Sequence, residues 1–185
     1  EAMEIKIERL VPEDVDAAVE TYDTIVNERE PNNSYGSETN YKNNDDMYGT
    51  ISSASDVDYY KVDFGRDGKA NFYLGNIPED CNYDLKIYSQ PVSGGTPVLY
   101  RTLSTSKDYE QVQNLPVESN KVYYMQVYSQ NKTYSSNSKY QVRAKITPSD
   151  DNYEPNNTRS TATSFPVFDY VDATIHKPSD VDYYE

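Results

Sequence analysis

The sequence predicts an all-β protein in which short antiparallel strands form a β-sandwich or barrel. Three observations support this fold class. Apolar and polar residues alternate in several short runs, clusters of Gly, Pro, Ser and Asp separate these runs, and the runs recur at short intervals over about 120 residues. A unit of this size can bury a core without disulfide bonds.

Alternation is clearest in five runs, each of which turns one face toward the predicted core. The runs are residues 60–64, 70–74, 83–87, 123–127 and 140–146, with a weaker candidate at 97–103. They are separated by turn-forming residues at 65–68, 78–80, 93–95 and 135–138. The inward positions predict a core of ten residues: Val62, Phe64, Phe72, Leu74, Leu85, Ile87, Met125, Val127, Val142 and Ala144.

The first 27 residues differ from the rest and predict a short extended and helical segment. An alternating run that is typical of a strand contains Met3, Ile5 and Ile7. A helical pattern then begins at Pro12, and its apolar face contains Val15, Ala18, Val19, Tyr22 and Val26. We interpret this segment as a linker or as the tail of an upstream domain.

Two motifs occur twice in the chain. Glu-Pro-Asn-Asn at 30–33 recurs at 154–157, and Ser-Asp-Val-Asp-Tyr-Tyr at 55–60 recurs at 179–184, both at an offset of 124 residues. The surrounding segments share 14 identities in 34 positions, where chance gives roughly two or three. The repeat predicts three parts: a linker at 1–27, a complete sandwich at 28–147, and the truncated start of a second copy at 148–185.

The second copy contains the opening strands of a sandwich but not the strands that would cover them. A segment of this length cannot bury enough apolar surface alone to offset the entropy of ordering its backbone. We therefore expect residues 150–185 to be disordered, or to dock on the sheet edge of another chain by strand addition.

Charge and residue counts exclude several classes of function. The 185 residues carry 31 acidic and 17 basic side chains, and this net charge of −14 disfavours nucleic acid and anionic membranes as partners. No apolar run is long enough to span a bilayer, and the N-terminus lacks the pattern of a signal peptide. The single cysteine, Cys81, excludes an internal disulfide, and the single histidine, His176, leaves residues 1–175 without a Ser-His-Asp triad. We therefore predict that the chain is not an enzyme.

Oxygen-bearing side chains cluster around the first motif. Four of them lie within six residues and two more precede the next strand: Glu28, Glu30, Asn32, Asn33, Asp56 and Asp58. Calcium binds carboxylate and amide oxygens, so the sequence predicts a hard-cation site if Glu30 and Asp56 meet in the fold. The alternative is that these side chains cap turns without a metal. The second copy has a poorer set, because Asn152 replaces Glu28 and leaves Glu154, Asn156, Asn157, Asp180 and Asp182, with Asp150 and Asp151 nearby.

Alternation also directs a set of tyrosines outward: Tyr59, Tyr73, Tyr88, Tyr124 and Tyr128. Exposed tyrosine on a rigid sheet offers a large contact area with a polar tip, which suits binding to a fibrous protein or a polysaccharide. The alternative is that these residues reflect β-propensity and cross-strand pairing, without any ligand.

The motifs, taken in order, resemble the bacterial pre-peptidase C-terminal domain family. The resemblance rests on Glu-Pro-Asn-Asn, then Gly-Thr-Ile-Ser and Ser-Asp-Val-Asp-Tyr-Tyr-Lys-Val, then the strand motifs at 82–88, 121–127 and 140–144. It covers residues 28–147, and again 152–185. It implies a jelly-roll-like β-sandwich that acts as a non-catalytic module of a secreted or cell-surface bacterial protein, with an upstream peptidase or cell-surface domain in the same polypeptide.

The resemblance also implies a ligand set for calcium. The collagen-binding members of the family carry calcium at positions that correspond to Glu28, Glu30, Asn32, Asn33 and Asp56, with Asp58 as a further candidate. Asn33 stands where calcium-binding members often have Asp, and a neutral ligand is expected to weaken the site. The implied function is to bind substrate or a surface polymer, or to stabilise the catalytic domain. The alternative is a spacer or stalk repeat that binds no ligand.

Overall fold

The computed structural model describes residues 25–164, 170–177 and 180–185. The strand and most of the helix predicted for the N-terminal segment lie outside these residues. The described elements are β1 (Ile25–Asn27), β2 (Thr39–Tyr41), β3 (Asp46–Gly49), β4 (Val57–Val62), β5 (Gly68–Gly75), β6 (Tyr83–Pro91), β7 (Val98–Leu103), β8 (Glu110–Val117), β9 (Lys121–Ser129), β10 (Tyr140–Pro148) and a 3₁₀ turn at Arg159–Thr161.

The strands form two five-stranded sheets around one core, which confirms the predicted β-sandwich. The first sheet has the strand order β1-β3-β10-β5-β8, and the second has the order β2-β4-β9-β6-β7. Pairing is antiparallel as predicted, except that β1 runs parallel to β3 and β2 runs parallel to β4. Between β1 and β3, and again between β2 and β4, the chain passes through a strand of the opposite sheet. It then returns to the original sheet in the same direction, so the two strands pair in parallel.

The core lies between the two sheets and contains every residue that alternation placed there. All ten predicted core residues are buried, and the most exposed of them, Phe64, retains only 8% of its accessible surface. The core also contains Met47, Ile51, Tyr60, Tyr83 and Tyr140. The five clear runs became β4, β5, β6, β9 and β10, and the weaker candidate became β7.

The sequence did not predict β8, because its alternation is broken. Asn114 adopts a left-handed conformation with φ of 56°, and the pairing with β5 shifts register between Ala70 and Phe72. The shift changes which residues of the strand face inward. Val112 and Leu115 therefore both face the core although they are three positions apart, an odd spacing that regular alternation would place on opposite faces.

The strands β1, β2 and β3 were also missed, since runs of three or four residues are too short to show a period. Val26 was predicted on the apolar face of a helix, and this was wrong for that residue. It lies in β1, half-buried against the core, and pairs with Met47. The sandwich therefore includes Ile25–Asn27, which the sequence assigned to the linker.

The second copy lies against the sandwich of the same chain, at the loop between β4 and β5. Arg66 Nε is 2.9 Å from Asp150 Oδ1, and Lys177 Nζ donates to Asp67 Oδ2 at 2.6 Å. The Ser149 N–H also donates to the Asp67 carbonyl at 3.0 Å. These contacts lie within one chain. Disorder of residues 150–185, or docking on another chain, stays a prediction that hydrogen exchange tests.

The backbone of the second copy repeats hydrogen bonds of the first. The Tyr59 N–H donates to the Asn32 carbonyl at 2.9 Å, and the Tyr183 N–H donates to the Asn156 carbonyl at 2.9 Å. The parallel pairing of β2 with β4 recurs as a single parallel bridge between Thr163 and Tyr184. These backbone contacts of the first copy therefore recur in the second copy.

Candidate metal site and tyrosine face

Three carboxylates from two segments converge at the start of β4. One ligand oxygen from each of Glu28, Glu30 and Asp58 lies within 4.8 Å of the others. The Glu28 N–H donates to the Tyr48 carbonyl at 2.9 Å, so the first sheet places this residue just past β1. Asp58 lies on β4, where the alternation that buries Tyr60 also turns Asp58 into the sandwich.

Glu28 accepts hydrogen bonds on both carboxylate oxygens. Its Oε1 accepts from the Thr50 N–H at 2.6 Å, and its Oε2 accepts from the Tyr60 hydroxyl at 2.7 Å. The hydroxyls of Tyr60 and Tyr140 are 2.6 Å apart, and the Tyr140 hydroxyl donates to Asp58 Oδ2. Two buried tyrosines therefore connect Glu28 to Asp58.

Asp58 is fully buried, with no accessible surface. Its Oδ1 has no hydrogen-bond partner among the described residues. Burial, reinforced by the nearby charge of Glu28, raises the pKa of Asp58 to about 9. Ionising this carboxyl is therefore costly unless a cation lies beside it.

Asn32 contributes a second buried oxygen in the same region. The residue has no accessible surface, and its side-chain N–H group donates to Glu28 Oε2 at 3.3 Å. Its Oδ1 has no partner within the described part of the chain. The Asn32 N–H donates to Glu30 Oε2 at 2.9 Å. Burial raises the pKa of Glu30, although this hydrogen bond opposes the shift.

These donors fit a hard cation. Asn32 and Asp58 each bury one oxygen that has no partner among the described residues. Asn32 is hydrogen-bonded to Glu28, and Asp58 lies in the same carboxylate cluster as Glu28. Carboxylate and amide oxygens are the ligands that calcium prefers. The residues that would hold calcium are Glu28, Glu30, Asn32 and Asp58.

The remaining two predicted ligands, Asn33 and Asp56, are hydrogen-bonded to each other. Asn33 Nδ2 donates to Asp56 Oδ1 at 3.1 Å. The other bonds to Asp56 come from its own turn, where the Ser52 N–H donates to Oδ2 at 2.6 Å and the Val57 N–H donates to Oδ1 at 3.0 Å. Asp56 thus caps a turn, as in the metal-free alternative, and supports the segment that carries Asp58.

Sequence reasoning missed Tyr60 and Tyr140 as site residues. The strand alternation could have indicated Tyr60, since it faces inward on β4 like Asp58. Tyr140 lies 82 residues after Asp58, and no local pattern links the two residues. Gly49 was also missed. A Cβ at this position would lie 2.3 Å from the Tyr60 hydroxyl and 2.5 Å from Glu28 Oε2, so only glycine leaves room for the cluster. The second copy has Ala173 at the equivalent position.

In the second copy, an aspartate makes the hydrogen bond that Glu28 makes in the first copy. The aligned residue is Asn152, but the neighbouring Asp151 accepts from the Thr174 N–H on Oδ2 at 2.7 Å. This bond is equivalent to the one that Glu28 accepts from Thr50. Asp151, one of the two acidic residues near Asn152, therefore makes in the second copy the hydrogen bond that Glu28 makes in the first.

Four of the five predicted surface tyrosines lie on the outer face of the second sheet, on β4, β6 and β9: Tyr59, Tyr88, Tyr124 and Tyr128. Tyr35 covers three of them, with ring centroids 4.6 Å from Tyr59, 5.7 Å from Tyr88 and 5.1 Å from Tyr124. We call Tyr35 and these four residues the tyrosine face. Tyr35 keeps 38% of its surface exposed, whereas Tyr124 beneath it keeps 5% and is buried, unlike its predicted exposure.

Hydrogen bonds hold the rings of the tyrosine face in place. Gln126 accepts from the Tyr88 hydroxyl at 3.0 Å and donates to the Tyr59 hydroxyl at 2.7 Å. The Tyr128 hydroxyl donates to Asp84 Oδ2 at 3.1 Å. Tyr73, the fifth predicted residue, lies on β5 in the other sheet and stacks on Tyr109. The structure therefore separates Tyr73 from the others.

Comparisons with known proteins give a likeness among solved structures. No protein-family model matches the chain, and a search of curated proteins found no match. Among solved structures, the chain is similar to the pre-peptidase C-terminal domain of a collagenase from Bacillus anthracis. The identity is 11% and the TM-score is 0.45, and the match covers 57% of this chain and 92% of that domain. The solved domain belongs to the family that the sequence motifs resemble.

The described residues include no helix that is both long and apolar enough to cross a membrane.

Proposed function

We propose that this chain is a non-catalytic binding module of a secreted bacterial protein, with an upstream peptidase domain in the same polypeptide, and that it binds a fibrous protein through the tyrosine face. The observation that carries the proposal is the clustering of the outward tyrosines on one sheet around Tyr35. Clustered rings in fixed orientations give a large contact area at low entropic cost. Dispersed tyrosines would instead have favoured a role without a ligand.

The ring orientations favour a protein over a polysaccharide. Tyr35 meets Tyr88 at an interplanar angle of 84° and Tyr124 at 85°, so these rings stand edge to face. Such an arrangement forms a ridged surface with polar tips and not the flat platform on which sugar rings stack.

Binding is tested with insoluble collagen fibrils, with elastin and cellulose as comparators. We expect saturable sedimentation with collagen and a loss of affinity of about tenfold or more for Tyr35→Ala, because central tyrosines dominate such interfaces. Tyr73→Ala is the matched control, since it removes a tyrosine from the opposite sheet. Equal losses in both variants, or saturable binding to cellulose alone, would contradict the proposal.

Calcium is the proposed cofactor, held by the four residues that would form the site. Because calcium binds only the folded state, it should raise the melting temperature by mass action. Glu30→Ala should remove most of this effect, while Glu79→Ala, on an exposed loop, should keep it. Magnesium should substitute poorly, since it demands a tighter octahedron. If the melting temperature is the same in chelator and in millimolar calcium, the acidic residues cap turns and the calcium proposal is wrong.

A spacer role is the second candidate, and the contacts between the second copy and the sandwich favour it. Arg66 and Asp67 both form ion pairs with the second copy, at Asp150 and Lys177, and such contacts fix the junction between consecutive modules. In that case no fibrous polymer should show saturable binding, and Tyr35→Ala should have no effect on sedimentation.

A further inference from the structure

Three side chains of the second copy form a compact cluster that differs in chemistry from the first site. Ligand atoms of Glu154, His176 and Asp180 lie within 4.8 Å of one another. Their side chains retain only 8%, 5% and 0% of their surface, respectively. At the offset of 124 residues, His176 takes the place of Ser52, so an imidazole enters a position that holds a hydroxyl in the first copy.

The backbone of the turn is the same in both copies, but the carboxylate is satisfied in only one. The Ser52 N–H donates to Asp56 Oδ2, and the His176 N–H donates to Asp180 Oδ2 at 2.9 Å. In the first copy Asp56 Oδ1 also has partners, whereas Asp180 Oδ1 has none in the described ranges of the chain. The second turn thus presents a buried oxygen that the first turn has already used.

Glu154 presents a second such oxygen, and His176 presents a nitrogen. Glu154 Oε2 accepts from the Asn157 side chain at 2.9 Å, while Oε1 has no hydrogen-bond partner in the part of the chain that is described. His176 Nδ1 lies 2.8 Å from Asp180 Oδ2 and 3.9 Å from Glu154 Oε1, yet it makes no hydrogen bond of acceptable geometry with any described residue. Buried groups left in this way are costly, and a cation among them would satisfy all three.

The other ring nitrogen of His176 is held by the sandwich. His176 Nε2 lies 3.3 Å from Asp67 Oδ2, and Asp67 is itself fixed by the Ser119 N–H and by Lys177, both at 2.6 Å. A carboxylate on one imidazole nitrogen is the usual support for a histidine that ligates metal through the other. A cation bound at Nδ1 would leave Nε2 to donate a hydrogen bond to Asp67 Oδ2.

We propose that Glu154, His176 and Asp180 form a binding site for a zinc-class transition-metal dication, which links the second copy to the sandwich through Asp67. One imidazole and two carboxylates are typical ligands of zinc and unlike the six to eight oxygens that calcium takes. Tetrahedral zinc separates its ligand atoms by about 3.3 Å, and the distances of 2.8 and 3.9 Å from His176 Nδ1 bracket this value.

A cleft between the two parts of the chain gives the metal a route to the site. It has a volume of about 530 Å³ and is lined by Glu154 and His176 together with the loop residues Arg66 and Asp67. The cleft leaves room for a water molecule as a fourth ligand.

The test follows zinc binding to the untagged chain after treatment with chelator. Because His176 is the single histidine, the imidazole ¹⁵N resonances report this side chain alone. We expect zinc to shift the Nδ1 resonance, and His176→Ser to lose binding at concentrations that saturate the unmodified protein. Serine occupies the same turn in the first copy, so this variant retains its fold. Asp67→Asn should weaken zinc binding by about 10- to 100-fold.

Further measurements distinguish zinc at this cluster from zinc bound elsewhere on the chain. Asp80→Asn, on an exposed loop, should leave zinc affinity unchanged. His176→Ser should leave the calcium-dependent melting shift intact, so failure here is distinct from failure of the calcium proposal. Zinc binding that leaves the imidazole resonances unmoved, or equal zinc affinity in His176→Ser, overturns the proposal, as does the absence of any zinc binding.

Discussion

At the residue scale, the candidate calcium site combines groups that stabilise the fold with groups that the fold leaves unsatisfied. Glu28 is hydrogen-bonded on both oxygens, and Asp56 completes its own turn. Asp58 and Asn32, by contrast, each bury one oxygen without a partner among the described residues. The unsatisfied pair is the observation that favours the proposed calcium site over an ordinary set of turn caps.

The raised pKa of Asp58 predicts how stability depends on pH. In the folded protein this carboxyl keeps its proton up to about pH 9, whereas in the unfolded chain it loses the proton near 3.8. The folded state therefore binds more protons between these values, and in chelator its contribution to the free energy of unfolding should fall as pH rises through this window. Denaturant titrations at several pH values measure the effect, and Asp58→Asn should flatten it. Parallel profiles for the two proteins would contradict this prediction.

The hydrogen bond between Asn33 and Asp56 predicts opposite effects of Asn33→Asp with and without calcium. In chelator, the new carboxylate faces Asp56 in place of a donor at 3.1 Å, and stability should fall by about 1 kcal/mol. With calcium, the added negative charge lies next in sequence to Asn32, one of the four proposed ligands, and attracts the cation without binding it, so the rise in melting temperature should exceed that of the unmodified protein. Asn33→Ala, which loses the donor without adding charge, is the control. Equal calcium shifts in both variants would show that charge at position 33 does not act on the site.

At the element scale, β4 connects the core to the candidate site. Its inward positions begin with Asp58 and continue with Tyr60 and Val62, so one strand carries a potential ligand, a supporting hydroxyl and a core side chain in register. The antiparallel pairing of β4 with β9 fixes that register along its full length. The site is therefore as rigid as the sheet that carries it.

The interior strand β5, which pairs with β10 and β8, predicts a large cost for losing one core ring. Phe72 is 1% exposed and meets Phe64 edge to face at 6.0 Å between centroids. Phe72→Ala should lower the free energy of unfolding by about 3–5 kcal/mol, because it removes buried surface and leaves a cavity. Lys69→Ala, exposed on the same strand, should change it by less than about 0.5 kcal/mol. Chemical denaturation compares the two, and similar losses would place Phe72 outside the cooperative core.

At the scale of the whole molecule, the second copy meets the sandwich through charged groups rather than through buried apolar surface. It contacts the sandwich through Arg66 and Asp67, and large apolar residues such as Ile175 and Val181 remain exposed. Both sets of contacts come from the loop between β4 and β5. A segment held in this way should separate from the sandwich more easily than any strand within it.

This mode of attachment predicts local opening when Arg66 is removed. In dilute monomeric protein, the amides of His176 and Tyr183 should be protected from hydrogen exchange, since both donate within the second copy. Arg66→Ala should reduce this protection while leaving β5 and β10 unchanged. Lys121→Ala, which breaks an ion pair with Glu118 elsewhere, is the control. Unprotected amides at both positions in the unmodified protein would restore the expectation of disorder.

The fold class, six of the ten described strands and the predicted core follow from sequence pattern, because alternation with a period of two records which face of a strand is buried. The acidic motif and its repeat at an offset of 124 residues are read directly from the sequence. Which acidic residues meet depends on tertiary structure, since Glu28 and Asp58 are joined through Tyr140 on a strand 82 residues away. The support that Asp67 gives to His176 likewise spans 109 residues. Local patterns cannot encode such contacts, because they depend on sheet pairing and on packing between segments distant in sequence.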